Sequence, residues 1–178
     1  MPILLYVIGA YDQRALDVYE SGSMIIIGID PGFHVTGYGI IKKEGHTSYL
    51  LDCGYLQMSS EKHLSERVHI FHTFFTQKII TFSITDLALE TPFLGKNAQN
   101  FLKLGYLRGI LYLLSHQYGL RLHEFAPREV KQSITGYGGA SKDQVARVVM
   151  QLFPKLKEQK KQDVTDALAV TLCGLWSR

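Results

Sequence analysis

An α/β fold, with a mixed five-stranded sheet flanked by helices, is predicted from three features of the sequence. Residues 24–30 form an apolar run rich in isoleucine, which is typical of a central strand buried on both faces. Residues 35–41 and 48–57 are two further strand-like segments, and the Glu44-Gly45 turn between them predicts a hairpin. From residue 64 onward, helical and strand-like periods alternate, as in connections that cover a sheet with helices.

The elements after the hairpin are predicted from periodicity and from residues typical of helix ends. In chain order they are a helix from Leu64, a strand over 86–90, a helix from 97 to about 118, a strand over 121–125, and helices over about 127–134, 141–153 and 163–176. Asn97 and Ser141 are capping residues, and Pro127 suits the first turn of a helix. Three meandering strands followed by crossover units therefore predict a mixed sheet.

The length of 178 residues suits one domain. Ser21-Gly22-Ser23 resembles a small flexible junction, and the strand-like run begins directly after it. We therefore expect residues 1–23 to be an N-terminal extension of unknown role, and residues 24–178 to form the main domain.

Composition and charge narrow the class of protein only slightly. Hydrophobic residues make up 46% and charged residues 20%, which is ordinary for a globular protein and excludes disordered or collagen-like classes. The formal net charge is +3, and it rises to +5 without the acidic first 23 residues. A positive balance is compatible with a polyanionic partner, although many proteins that bind no nucleic acid are equally basic.

The cysteines and the N-terminus indicate a cytoplasmic setting. Cys53 and Cys173 are far apart, lie in apolar runs and form no CxxC pair, so we expect reduced thiols and no zinc site. The apolar start, residues 1–10, is much shorter than the roughly 20 residues that a membrane-spanning helix needs, and it lacks the basic region of a signal peptide.

Two carboxylates stand at the ends of apolar strands. Asp30 ends the first strand and Glu90 ends the strand over 86–90. If these strands are parallel neighbours, the two side chains lie about 5 Å apart at the edge where open α/β sheets build their sites. Alternatively, Asp30 caps the turn at Pro31-Gly32 and Glu90 is a solvated edge residue.

Two further carboxylates begin the last predicted helix. Asp163 and Asp166 are three residues apart, so they share one helix face. Acidic residues also favour helix N-termini because of the helix dipole, which explains one aspartate better than two on one face. Four converging carboxylates would suit Mg²⁺ or Mn²⁺, and two such ions about 4 Å apart can support phosphodiester hydrolysis.

Four blocks of residues between Met24 and Trp176 have a recognisable order. They are Ile27-Gly-Ile-Asp-Pro-Gly32 with Thr36-Gly-Tyr-Gly39; Glu90 with Phe93, Lys96-Asn97, Lys103-Leu-Gly105 and Arg108-Gly109; Pro127-Arg-Glu-Val-Lys-Gln132; and Asp163-Val-Thr-Asp-Ala-Leu-Ala169. As an ordered set they resemble the RuvC family of Holliday-junction resolvases, the crossover junction endodeoxyribonucleases. The extension over 1–23 departs from the usual family pattern, and the charged connection over 155–162 is a second departure from it.

The resemblance implies a ribonuclease H-like fold and a Mg²⁺-dependent endonuclease that nicks two strands of a four-way DNA junction symmetrically. It also implies a homodimer, with RuvA and RuvB as partners. The family's acidic tetrad, which binds metal and is catalytic, falls on Asp30, Glu90, Asp163 and Asp166.

DNA contacts are expected at one aromatic residue and several basic ones. The resemblance places Phe93 at the opened junction centre and Lys131 and Lys142 near the phosphates; Lys96 is a further candidate for a phosphate contact. Without the resemblance, Phe93 would more readily be a packing residue, and each lysine a solvated one. The helix from Asn97 is apolar over most of its surface, so it is either the dimer contact or a core helix.

Three other functions remain open from the sequence. One is a fragment of an actin-like ATPase, although such enzymes need two lobes and this chain has room for one. Another is a module that binds junctions without cutting them. The third is a ribonuclease H-like nuclease with another substrate, such as an RNA–DNA hybrid, because fold does not determine function.

Overall fold

A computed structural model describes residues 24–92, 98–154, 156 and 162–177. Its strands are β1 (Met24–Asp30), β2 (Val35–Glu44), β3 (Thr47–Gln57), β4 (Asp86–Glu90) and β5 (Arg121–Phe125). Its helices are α1 (Leu64–Phe82), α2 (Ala98–Gln117), α3 (Pro127–Thr135), α4 (Lys142–Leu152) and α5 (Gln162–Trp176). The predicted α/β class and the predicted order of elements are confirmed.

The five strands form one mixed sheet in the order β3-β2-β1-β4-β5. β1 pairs with β2 and β2 with β3 in antiparallel fashion, which confirms the hairpin. β4 lies parallel to β1, and β5 lies parallel to β4. The carboxyl ends of β1, β4 and β5 therefore meet at one edge of the sheet.

A hydrophobic core covers each face of the sheet. On one face, α1 and α2 pack with Phe71, Phe75, Leu107 and Leu111, all at most 1% exposed. On the other face, α3, α4 and α5 pack together over β1 and β4. Because side chains alternate along a strand, Ile29 points to the first core and Asp30 to the face that α5 covers.

Helix α5 lies unusually close to the sheet because three glycines form a smooth track beneath it. A Cβ added at Gly37 would stand 1.9 Å from the Asp163 carbonyl oxygen, and one at Gly28 would stand 2.2 Å from Thr171 Oγ1. At Gly39 the same atom would meet the Leu168 side chain at 2.5 Å. These distances leave no room for a methyl group, so the glycines set the height of α5 above the strands.

The structure departs from the predicted pattern at the start of α1. Leu64, the apolar residue at which the predicted helix begins, is 46% exposed, whereas Arg67 is only 6% exposed. The Arg67 guanidinium lies 3.9 Å from the centre of the Phe33 ring and donates to the Phe33 carbonyl. The apolar stem of an arginine can be buried like an apolar side chain. In the first turn of α1, the buried residue is therefore the charged Arg67 and not the apolar Leu64.

Replacing Gly37 by alanine tests the close packing of α5. We expect Gly37→Ala to lower the free energy of unfolding by about 1–3 kcal/mol, because the new methyl group forces the start of α5 away from the sheet. Chemical denaturation measures the loss. In the control, Gly54→Ala, the nearest atom is Tyr38 Oη at 3.1 Å, at the end of a side chain, so the loss should be smaller. Equal stability of Gly37→Ala and the wild type would contradict the proposed contact.

Candidate active site

Asp30 and Glu90 lie side by side at the carboxyl edge of the sheet. Ile29 is paired with Leu89 in the parallel β1–β4 ladder, so the next residue of each strand is also a neighbour of the other. Both carboxylates point to the face that α5 covers, because Ala88, two residues before Glu90, belongs to the core on that face. The predicted adjacency of these two strand ends is therefore present.

Helix α5 brings Asp166 to the same place. Asp30, Glu90 and Asp166 line one cavity of about 190 Å³. Asp163 does not line this cavity, but its main chain lies over Gly37, which is the β2 partner of Asp30. Asp30, Glu90 and Asp166 thus face one shared cavity, and Asp163 lies beside that cavity.

The remaining cavity wall is partly basic and partly apolar. The residues that complete it are Pro127, Val130, Lys131, Lys142, Val145, Ala169 and Val170. The two lysines come from different helices, α3 and α4, and only the fold could bring them together. The cavity therefore joins acidic groups that suit a cation with basic groups that suit a phosphate.

Burial and mutual repulsion perturb the carboxylates. The pKa of Asp30 is raised to about 7, first by burial and then by the negative charges of Asp166 and Glu90. Burial also raises the pKa of Glu90, with Asp166 as the next cause. The positive charges of Lys142 and Lys131 partly oppose the shift at Glu90. The cavity thus holds more negative charge than its own lysines neutralise.

Lys142 donates to Asp166 across the mouth of the cavity, with 2.6 Å between Nζ and Oδ2. This hydrogen bond is the main cause of the raised pKa of Lys142. A cation in the first turn of a helix is disfavoured by the helix dipole, and Asp166 supplies the compensating negative charge. The Lys142 side chain is 65% exposed, so the pair contributes little to stability and can exchange partners.

The donor set fits a divalent metal ion in its chemistry. Its groups are carboxylate oxygens, which Mg²⁺ and Mn²⁺ prefer, and a bound cation would relieve the repulsion at Asp30. Within residues 24–92, 98–154, 156 and 162–177, however, no three Asp, Glu, His or Cys side chains already form a closed metal-binding group. Metal binding at Asp30, Glu90 and Asp166 therefore requires the side chains to draw together.

The predicted DNA-contact residues divide into two groups. Lys131 and Lys142 line the cavity, while Phe93 and Lys96 lie outside the described residues. The roles of all four stay predictions.

Strand register places Tyr55 in the same row as Asp30, which the sequence did not predict. Tyr55 pairs with Gly37, which pairs with Asp30, so the three residues form one row across the sheet. Tyr55 is 42% exposed at the edge of that row. The β2–β3 ladder shifts register between Ile40 and Ile41, and a shift of this kind cannot be read from residue periodicity.

Asp30→Asn should change the pH dependence of stability. The pKa of Asp30 is higher in the folded state than its ordinary value of 3.8, so the folded protein binds this proton more tightly. Its contribution to stability is complete below about pH 4 and is lost as the pH rises through about 7. In chelator, Asp30→Asn should therefore be more stable than the wild type at pH 8, by at most about 4 kcal/mol, and the difference should shrink towards pH 4.

Denaturation curves at several pH values measure this difference. Asp143→Asn, which changes an exposed carboxylate in the first turn of α4, is the matched control and should not reproduce the pH-dependent gain. A difference between Asp30→Asn and the wild type that does not vary with pH would contradict the raised pKa.

Comparison with known proteins identifies the family. The family model described as "Crossover junction endodeoxyribonuclease RuvC" matches residues 26–174. The chain is 42% identical over 152 residues to the crossover junction endodeoxyribonuclease RuvC of Chlorobium phaeobacteroides, which covers 85% of this chain and 81% of that protein. It is 41% identical over 152 residues to the corresponding protein of Pelodictyon phaeoclathratiforme, with 85% and 80% covered.

Solved structures agree with this result. The structure of T. thermophilus RuvC in complex with a Holliday junction substrate matches with a TM-score of 0.78 and 26% identity, covering 84% of this chain and 92% of that one. The resemblance noted in the motifs is confirmed, and so is the ribonuclease H-like fold. Membership also implies a divalent metal cofactor. The chain belongs to the RuvC family of crossover junction endodeoxyribonucleases, and it is a nuclease.

Proposed function

We propose that this protein resolves four-way (Holliday) DNA junctions by Mg²⁺-dependent, symmetrical paired nicks, in homologous recombination and DNA repair. The observation that carries the proposal is one cavity in which Asp30, Glu90 and Asp166 face Lys131 and Lys142. A relative of the same fold is described in complex with a Holliday junction substrate, which supports the same substrate here.

The four carboxylates Asp30, Glu90, Asp163 and Asp166 are the proposed catalytic and metal-binding residues. Mg²⁺ is the expected metal, Mn²⁺ is an alternative, and we expect two ions in each active site. When bound, such ions lower the pKa of water and stabilise the leaving oxygen of a phosphodiester. The raised pKa of Asp30 supports this assignment, because perturbed carboxylates in a cleft are typical of functional sites.

The two lysines are proposed to hold the DNA backbone. Lys131 and Lys142 stand at the rim of the acidic cavity, where they can bind phosphate oxygens and offset repulsion between DNA and the carboxylates. Lys142 can exchange Asp166 for a phosphate, since its side chain is long and 65% exposed. Phe93 is the proposed stacking residue at the junction centre, with Lys96 as a further phosphate contact.

A junction-cleavage assay tests the function and its alternatives together. The protein is incubated with a labelled synthetic four-way junction, a linear duplex and an RNA–DNA hybrid, each with Mg²⁺ and with chelator. We expect paired nicks in the junction alone, lost with chelator. Cutting of the hybrid would favour another ribonuclease H-like nuclease, and binding with no cutting in any metal would favour a non-catalytic module.

Asp30→Asn should abolish cutting and keep junction binding. The amide has the shape of the carboxylate but lacks its charge, so it removes a metal ligand while leaving the fold in place. Gel-based cleavage with Mg²⁺ and binding measured in chelator separate the two effects. Asp143→Asn is the control that should keep both activities, and wild-type cutting by Asp30→Asn would refute the assignment of the four carboxylates.

We also propose a homodimer through the exposed face of α2. Leu102, Tyr106 and Leu113 are 57%, 40% and 46% exposed on this helix. Gly105 and Gly109 lie on the same face, and a Cβ at either would meet no atom within 4 Å. Neither glycine serves packing within the described chain, although each costs about 1 kcal/mol of helix stability. A second copy that packs closely against α2 would explain both the exposed apolar side chains and the two glycines. A two-fold symmetric enzyme also suits a substrate with two equivalent strands.

Leu113→Glu should shift the protein towards a monomer, because the new charge would be buried in the interface. Sedimentation velocity measures the shift, and junction cleavage should then give fewer paired nicks. Leu152→Glu is the control, because Leu152 is similarly exposed, at 47%, but lies on α4 on the other side of the sheet. A wild-type protein that sediments as a monomer at assay concentrations would argue against the dimer.

The cellular setting follows from the same proposal. RuvA and RuvB, the branch-migration proteins, are the proposed partners, and the cytoplasm is the proposed location. Within the described residues, no disulfide joins Cys53 and Cys173. Among the described helices, none is long and apolar enough to cross a membrane.

A further inference from the structure

A second cavity lies next to the acidic one, and the proposed function leaves it unused. It has a volume of about 310 Å³, and we call it the Tyr137 groove after its one aromatic lining residue. Its walls include Thr135, Tyr137, Gln144, Arg147, Val148 and Gln151, and none of its lining residues is acidic. A groove with an aromatic ring, one guanidinium and two amides has the chemistry of a nucleotide site.

The loop that carries Tyr137 is held firmly from α3. Gln132 donates to the Gly136 carbonyl at 2.7 Å and accepts from the Gly138 N–H at 2.9 Å. The Thr135 hydroxyl contacts the carbonyl and the N–H of Tyr137 at 3.0 and 3.2 Å. The backbone is therefore fixed, while the Tyr137 side chain remains 66% exposed.

The Tyr137 ring packs against Gly139. A Cβ added at Gly139 would stand 2.6 Å from the far end of the Tyr137 ring, so the ring lies directly against this glycine. The rest of the ring stays largely exposed, since Tyr137 is 66% exposed. An exposed aromatic on a hydrogen-bonded backbone is suited to stacking on a base.

The groove continues from the proposed active site. Lys131 lines the acidic cavity and Thr135 lines the Tyr137 groove, and these residues are about 6 Å apart along α3. On α4, Lys142 lines the first cavity and Gln144 the second. Arg147 is exposed and forms no ion pair with a described residue. The acidic cavity and the Tyr137 groove are therefore lined by neighbouring turns of the same two helices.

We propose that the Tyr137 groove binds one unpaired nucleotide of the DNA strand that runs past the active site. The base stacks on Tyr137, and Arg147 binds its phosphate. The Gln151 amide contacts the base edge, together with the NH2 group of Gln144, whose Oε1 already accepts from the Ser141 N–H at 2.8 Å. This inference rests on the proposed function, because it takes the strand in the acidic cavity to be DNA. Tyr137 and Arg147 are then positioning residues, which hold the strand near the cut.

Equilibrium binding in chelator tests the groove without cleavage. A labelled four-way junction and a labelled single-stranded oligonucleotide are titrated with the wild type and with variants. Tyr137→Ala should weaken binding of the junction and of the oligonucleotide by about 5- to 150-fold, the range expected for one stacked base. Tyr137→Phe keeps the aromatic ring and should bind both as tightly as the wild type. Gly139→Ala should weaken binding by displacing the ring. Arg147→Gln should reduce the slope of log affinity against log salt by about 1.

Two matched controls and a folding check accompany these variants. Tyr49 lies on the edge strand β3 and is 48% exposed, so Tyr49→Ala is the control for the loss of an exposed tyrosine. Lys42 is a basic residue of β2, so Lys42→Gln is the control for the loss of a positive charge. Both variants should keep the wild-type affinity and the wild-type salt dependence. Thermal unfolding establishes that each variant is folded.

The outcomes separate the groove from the proposed function. If the wild type does not bind the junction, the proposed function fails, while the single-stranded arm still tests the groove. If the wild type binds and Tyr137→Ala binds equally well, the groove has another occupant, such as a protein partner, and the inference is overturned. A loss of binding in Tyr137→Phe as large as in Tyr137→Ala would also overturn it, because stacking does not need the hydroxyl group.

Discussion

The close contact between α5 and the glycine track of the sheet is the constraint on which the site depends. Gly28, Gly37 and Gly39 let the helix backbone approach to a distance that any side chain would prevent. At this distance the N-terminal part of α5 holds Asp166 opposite the ends of β1 and β4. An added methyl group at Gly37 would displace the acidic turn, so packing and chemistry are coupled in one contact.

The same contact creates electrostatic strain. Asp30 lies partly buried near the negative charges of Asp166 and Glu90, and its pKa is raised to about 7. Lys142 neutralises part of this charge from the N-terminus of α4, where its own position is unfavourable. The cavity therefore combines groups that would be more stable apart, which is common where a fold maintains a functional site at some cost in stability. A divalent cation and a DNA phosphate would relieve both unfavourable features.

The two proposed DNA-binding regions have different physical characters. The acidic cavity combines carboxylates with two lysines, which suits a metal ion and a backbone phosphate. The Tyr137 groove has no acidic lining residue and presents an exposed aromatic ring. Helices α3 and α4 contribute to both, so one short stretch, residues 127–152, links the chemistry to the positioning of the strand.

Much of the fold and the acidic residues could be predicted from sequence, because periodicity, capping residues and strand ends are local signals. The run over 24–30, the Ser141 cap and the pair Asp163 and Asp166 are examples. Sequence could not give the Tyr55–Gly37–Asp30 row, the Lys142–Asp166 pair or the Tyr137 groove. Each depends on strand register or on the packing of distant helices, and these are decided by the whole core rather than by neighbouring residues.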